Sequence, residues 1–215
     1  MSVPPRSTTD HLAALHADAE AVLDEIETLV ASIDAATVRR RPAPDRWSVA
    51  DCLAHLVATG HAYHPRVRAA QTEWESRGST AGAPPDGAYR PSWFGRLFIH
   101  MSGPNGRNIR VRARGPFVPP PPPDDVLAQF RAIQQQLFEL IEGAAFADLQ
   151  TVRITSPLSR LLTLSLGECL QMLVGHQRRH LAQMHDILAE LGVERSSRTA
   201  SVNRHAAGEA TTRPH

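Results

Sequence analysis

The sequence predicts an all-α fold, a four-helix bundle with a long crossover connection between the second and third helices. Four segments carry apolar residues at spacings of three and four, the pattern of a helix that buries one face. Hydrophobic residues make up 42% of the chain and aromatic residues only 5%, which favours a core of Leu, Ala, Val and Ile between helices. At 215 residues the chain is long enough for one domain with a substantial core.

The first predicted helix runs from Asp10 to Ile33. Acidic and polar residues separate its apolar positions, so that one face is apolar and the other is hydrated. The apolar positions are Leu12, Leu15, Ala19, Val22, Ile26, Leu29 and Ile33. This length and pattern are typical of an amphipathic helix that packs on a core.

The second predicted helix begins after Ser48 and runs to about Glu75. Ser48 is a favourable N-cap residue, and Asp51 places an acid in the first turn, where it interacts favourably with the helix dipole. Asp51 also lies one turn before His55. We expect it to cap the helix; the alternative is that it accepts a proton from the His55 ring.

The third predicted helix follows a proline run, Pro119 to Pro123, which we interpret as a stiff polyproline II spacer. Asp124 and Asp125 are placed to cap its first turn and to stabilise it by charge. Gly143 is expected to end it. Its apolar face consists of Val126, Leu127, Phe130, Ile133, Leu137, Leu140 and Ile141.

The fourth predicted helix opens with a capping box formed by Ser165 and Glu168. It is expected to run to about Leu191 and to stop at Gly192. Four long amphipathic helices in one chain are typical of a four-helix bundle.

The connection between the second and third helices, residues 76–123, is rich in Gly, Pro and Arg and too long for a plain loop within a bundle. Trp93 to Met101 is predicted to form a short helix within it. Around the bundle, which we place at residues 10–191, residues 1–9 are predicted to be a flexible N-terminus. Residues 192–215 are polar and aperiodic and are predicted to be a disordered tail.

Arginines cluster in this connection at positions 107, 110, 112 and 114. Arg110 and Arg112 are candidates for binding an anionic group of a substrate or cofactor. The alternative interpretation is a solvated surface, the commoner fate of such a run.

The net charge of +1 argues against a field that recruits nucleic acid or an anionic membrane. The chain has no apolar run long enough to span a bilayer and no signal-peptide pattern, so we expect a cytoplasmic protein. Its two cysteines, Cys52 and Cys169, are too few for a disulfide scaffold. Either could border a metal cavity, but we favour small, buried, inert residues. A homodimer is the oligomeric state considered.

Three histidines on two predicted helices form a candidate metal site. His176 and His180 are four residues apart and therefore share a helix face, which the neighbouring apolar stripe turns toward the interior. His55 lies on the second helix. Neutral imidazole is the commonest ligand of divalent transition metals and is costly to bury without a partner. The alternative is that one or both paired histidines are core residues satisfied by hydrogen bonds.

Gln183 follows His180 by three residues and His176 by seven, so it shares their face. It is the one candidate side chain for orienting a ligand or substrate, with a buried residue that bonds to the backbone as the alternative. We find no separate general base with a distinctive pattern, which would leave a metal-bound water or thiol as the reacting group.

Three stretches together resemble one known family: residues 46–56 (RWSVADCLAHL), 154–157 (ITSP) and 175–183 (GHQRRHLAQ). They are similar to the DinB-like superfamily, metal-binding bundles that include YfiT-type metal-dependent hydrolases and bacterial thiol S-transferases. The resemblance implies a four-helix bundle with a crossover, and a divalent transition metal, Zn or Ni preferred, bound by His55, His176 and His180.

By this resemblance the chain is a metal-dependent enzyme acting on a small-molecule substrate. Three ligands leave open positions on the ion, where a low-molecular-weight thiol or a water would be activated to attack a small electrophile. The activity would be that of a thiol S-transferase or a hydrolase. The alternatives are a mycothiol-dependent isomerase, a non-catalytic metal-binding or sensing bundle, and a structural bundle without metal. Nothing in charge or motif supports nucleic-acid binding.

Overall fold

The computed structural model describes residues 7–77, 89–103 and 117–193. Helices dominate this part of the chain, which confirms the predicted all-α class. The helices are α1 (Thr8–Ala31), α2 (Ala35–Arg39), α3 (Val49–Ser76), α4 (Trp93–Ser102), α5 (Val126–Gly143) and α6 (Leu166–Glu190), with a 3-10 turn at Ala144–Phe146. Two short strands, β1 (Arg153–Thr155) and β2 (Thr163–Ser165), pair in antiparallel fashion with Ile154 opposite Leu164.

The four long helices α1, α3, α5 and α6 form the bundle. Both α1 and α3 pack against α5 and α6, so α1 and α3 occupy opposite corners. Along α3 and α5, Arg68 bonds to Glu139 and Gln71 bonds to the backbone of Leu140, so these neighbours run in the same direction. Parallel neighbours cannot be joined by a tight turn. The chain must return along the bundle between them, which accounts for the long connection that the sequence predicts.

Part of that connection is α4, which begins and ends within one residue of the predicted short helix and packs against α6. The predicted arginine cluster, Arg110 and Arg112 included, lies outside the described residues. Residues 1–6 and 194–215 also lie outside them, so for these residues the flexible N-terminus and the disordered tail stay predictions. Thr8 and Thr9, predicted to belong to the flexible N-terminus, form the start of α1. None of the described helices combines the length and apolarity of a membrane span.

The structure confirms the predicted caps at three helix ends and contradicts the prediction at one. Both predicted capping boxes form, at Ser48 with Asp51 and at Ser165 with Glu168. Gly192, just beyond α6, has the positive φ of 68° that favours glycine. The prediction was wrong for α5: Asp125 is its N-cap residue, but its side chain makes no cap hydrogen bond. The Asp125 carboxylate instead accepts from the side chain of Gln129.

The neighbouring Asp124 does not cap the helix either. It forms an ion pair with Arg39, which also donates to the carbonyls of Pro122 and Pro123. This contact attaches the segment that enters α5 to the short helix α2.

Glu168 caps two helices at once. One carboxylate oxygen accepts from the backbone N–H of Ser165 at the start of α6, and the other accepts from the backbone N–H and hydroxyl of Ser92 at the start of α4. Burial alone would raise the pKa of this carboxyl, but the hydrogen bonds from Ser92 and Ser165 outweigh it and hold the pKa below its ordinary value. A Cβ on Gly95 would lie 2.0 Å from the carboxylate, so the site requires glycine there.

Replacing Glu168 by Ala should lower the free energy of unfolding by about 2 kcal/mol, because two helix N-termini lose their acceptor. Urea unfolding followed by circular dichroism measures the change. Glu75→Ala, which removes an exposed carboxylate from α3, is the matched control and should cost less than about 0.5 kcal/mol. Equal losses in the two variants would contradict the double-cap assignment.

Candidate metal centre

The structure brings together the three histidines that the sequence singled out. His55 on α3 and His176 and His180 on α6 each offer a ring nitrogen, and these nitrogens lie within 4.8 Å of one another. The Nε2 atoms of His55 and His176 are 3.0 Å apart. Two nitrogens bound to one tetrahedral zinc ion would be about 3.3 Å apart, given Zn–N bonds of about 2.0–2.1 Å. The group therefore has the size of a metal site.

The start of α3 fixes the position of His55. Asp51, one turn earlier, accepts from Ser48 in the capping box and forms two hydrogen bonds of 2.8 Å with the Arg41 guanidinium. Its carboxylate is thus engaged in capping and ion pairing, the role that the sequence favoured. The ring of Trp47 lies 5.0 Å from the His55 ring and 5.8 Å from the His180 ring, centroid to centroid, and covers one side of the cluster.

Each imidazole is oriented by a hydrogen-bond partner outside the cluster. His55 Nδ1 donates to the carbonyl of Phe117 over 2.7 Å, and His180 Nδ1 donates to Oε1 of Gln183 over 3.0 Å. His176 bonds to the backbone of Ser102, while its Nε2 faces His55. A neutral imidazole that donates from one nitrogen presents a lone pair at the other. With the protons on the nitrogens that face these outer partners, three lone pairs would point toward one another, and a cation between them would relieve their repulsion.

Electrostatics keep the three rings in the neutral form that metal binding requires. Burial lowers the pKa of His55, lowers that of His176 to about 3, and lowers that of His180 well below its ordinary value. The nearby Arg179 cation acts in the same direction on all three. His55 and His180 are 5% exposed, whereas His176 is more accessible. A small ligand would therefore approach from the His176 side.

Gln183 lies where its spacing predicted, as a hydrogen-bond acceptor for His180. Such a contact orients an imidazole and increases its basicity as a ligand. His61 and His185 lie away from the cluster: His61 is exposed and His185 bonds to Glu25.

Both cysteines are buried and are not disulfide-bonded. Burial raises the pKa of the thiols of Cys52 and Cys169 far above its ordinary value. The thiols are therefore protonated at neutral pH and inert, as favoured from the sequence.

Sequence reasoning missed the backbone acceptors and the aromatic wall. A backbone carbonyl exists at every position, so nothing in the sequence marks Phe117 or Ser102 as partners of a histidine. Trp47 carried a signal, since it belongs to the stretch that resembles the family, but it was given no role at the site. Arg179, next to His180 in the chain, was also given no role; its side chain donates to the carbonyl of Met101 at the end of α4.

A family model described as the DinB superfamily matches residues 10–184. The matched range includes all three histidines of the cluster and most of the bundle. Comparisons with curated proteins and with solved structures gave no match.

His64, a buried histidine of α3 outside the cluster, is 4% exposed, and burial lowers its pKa to about 4. The unfolded chain takes up a proton near pH 6.5 and the folded chain only near pH 4, so stability is lost as the pH falls through this window. Each unit by which the pKa differs between the folded and unfolded chain corresponds to about 1.4 kcal/mol of unfolding free energy. We therefore predict that wild type loses up to about 3 kcal/mol more stability than His64→Gln between neutral pH and pH 4. Denaturant unfolding at pH 7, 5.5 and 4 tests it. His61→Gln, on the exposed side of α3, should change the curve far less, because His61 contributes less than burial to the lowered pKa of His64. A His64→Gln curve parallel to wild type would contradict the assignment.

Proposed function

The chain belongs to the DinB superfamily, and on that premise we propose that it is a metal-dependent enzyme acting on a small electrophile. In this proposal His55, His176 and His180 hold one divalent transition ion, with Zn or Ni preferred. The proposal rests on one observation: the three rings face one another, and each forms a hydrogen bond with a partner outside the cluster. Core histidines would not need their nitrogens to converge.

The ion supplies a Lewis acid that lowers the pKa of a thiol or a water to about neutrality. The protein would contribute three neutral ligands, one fewer than the four of a closed structural site. Phe117, Ser102 and Gln183 fix the rings, so little reorganisation is needed on binding. Trp47 limits access of water from one side.

We propose transfer of a low-molecular-weight thiol to the electrophile as the first reaction and hydrolysis as the second. The thiol proton leaves to solvent, the sulfur forms a bond to the electrophilic carbon, and the leaving group departs with its electron pair. Among the residues that the structure describes we assign no separate general base. Activation of the nucleophile then rests on the ion that the three histidines hold.

Metal content is the first test. Wild-type protein purified without a histidine tag and supplied with Zn²⁺ or Ni²⁺ should hold about one ion per chain, and His55→Ala and His176→Ala should hold almost none, because two imidazoles rarely retain such an ion. Elemental analysis by mass spectrometry gives the stoichiometry. His61→Ala and His185→Ala change histidines outside the cluster and should keep the ion. Wild-type protein that stays empty in both metals would contradict the proposal.

Gln183→Ala provides a graded version of the same measurement. It removes the partner of His180 but no ligand, so we expect metal affinity to fall about 10- to 100-fold rather than to vanish. Competition with a chromophoric chelator measures the affinity. An unchanged affinity would remove Gln183 from the site.

Activity assays distinguish thiol transfer from hydrolysis, and both reactions from a non-catalytic protein. With metal bound, the protein should accelerate conjugation of glutathione or N-acetylcysteine to chlorodinitrobenzene, in which a C–S bond forms and chloride leaves. Hydrolysis of p-nitrophenyl acetate tests water as the nucleophile. Both rates should drop to background in His176→Ala and persist in His61→Ala. Full metal occupancy without either activity, together with unfolding on metal removal, would instead assign the ion a structural role.

A further inference from the structure

A second concave site lies beside the metal centre, in a groove between α1, α4 and α6. Its volume is about 470 Å³, within the range of about 300–1,000 Å³ typical of small-molecule sites. None of the three clustered histidines lines it. The groove is therefore a separate site, which neither the family match nor the metal proposal explains.

The two sides of the groove differ in chemistry. Leu15 on α1 and Val174 on α6 contribute an apolar wall. Arg96 and His100 project from successive turns of α4, and Arg178 projects from α6. These three residues offer several N–H donors along one edge, which we call the basic rim.

Asp18 is the only acid among the described residues that line the groove, and Arg178 already bonds to it. No carboxylate in that lining therefore opposes Arg96 and His100. The α4 segment has no acid of its own between Tyr89 and Gly103. Two arginines and one aspartate leave the lining with a positive charge, while the Glu168 carboxylate lies outside the lining at the start of α4 and bonds to Ser92.

Two glycines place the groove next to the histidines. Gly103, just after α4, and Gly175 on α6 both line it, and a Cβ on Gly175 would lie 3.7 Å from the Cα of Gly103. Their neighbours Ser102 and His176 are joined by a hydrogen bond. The groove is thus separated from the metal centre by one layer of backbone.

We propose that this groove binds a small organic acid, with its carboxylate or phosphate at the basic rim and its short apolar body against Leu15 and Val174. Guanidinium groups bind such anions through paired, charge-assisted hydrogen bonds. The inference goes beyond the proposed function, because the groove would hold the acid beside the three histidines and not on them. The binding step itself requires no ion.

Hexanoate and hexyl phosphate are suitable probes, with hexanol as the uncharged control of the same chain length. Amide chemical shifts in ¹H–¹⁵N NMR spectra, followed during titration, report affinity and location, with the amides of Gly103 and Gly175 as reporters. At least one acid should bind and shift these amides, and hexanol should not. The acid with the higher affinity shows whether the groove prefers a carboxylate or a phosphate. The proposal would be overturned if hexanol bound with the same affinity as the two acids.

Two substitutions should change the affinity in opposite directions, which general damage to the fold would not do. Arg96→Gln removes a cation of the rim and should weaken binding about tenfold, the value of one charge-assisted contact. Asp18→Asn releases Arg178 from its ion pair and should strengthen binding about threefold. Arg68→Gln changes an exposed arginine on α3 that bonds to Glu139 and should leave binding unchanged. Equal affinity in all three variants would overturn the proposal.

The same titration in His55→Ala separates this inference from the proposed function. That variant should bind the acid normally while holding no metal. Metal binding with an empty groove would overturn the groove alone, and acid binding in a wild-type protein that takes up no metal would overturn the proposed function alone.

Discussion

The parallel alignment of α3 with α5 is the constraint on which the rest of the structure depends. Neighbouring helices that run in one direction force the chain to travel the length of the bundle between them. Two points within that long connection reach the three histidines: Ser102 at the end of α4 bonds to His176, and the carbonyl of Phe117 accepts from His55. The segment that the topology requires thus also supplies the groups that orient the candidate ligands.

Holding the three histidine rings in place requires little additional free energy, because strong local interactions anchor the helices that carry them. The capping box and the Arg41 pair hold the first turn of α3 close to His55. Glu168 joins the starts of α4 and α6, and Arg179 joins α6 to the end of α4. Because α4 is held at both ends, Ser102 stays in register with His176. In the proposed metal site, three neutral ligands would leave a divalent ion with its full charge, which would favour an anionic fourth ligand such as a thiolate.

The sequence predicted those features that depend on local rules. The helices, both capping boxes and the shared face of His176 and His180 follow from spacing, and the meeting of His55 with that pair was anticipated from the family pattern. The partners that hold the rings could not be predicted, because any residue provides the carbonyl that Phe117 provides. The cap of α5 failed for a related reason: Asp124 is drawn to Arg39, which is distant in sequence. The bond from Ser92 to Glu168 likewise joins residues that only the tertiary fold brings together.

The burial of Cys52 and Cys169 would protect both thiols in a protein that, as proposed, acts on small thiols. Protonated and shielded sulfurs are poor partners for thiol–disulfide exchange. Under oxidative stress, when cellular thiols are converted to disulfides, the protein would not be trapped as a mixed disulfide with its own substrate. Its activity would then follow the supply of reduced thiol rather than the oxidation state of the protein.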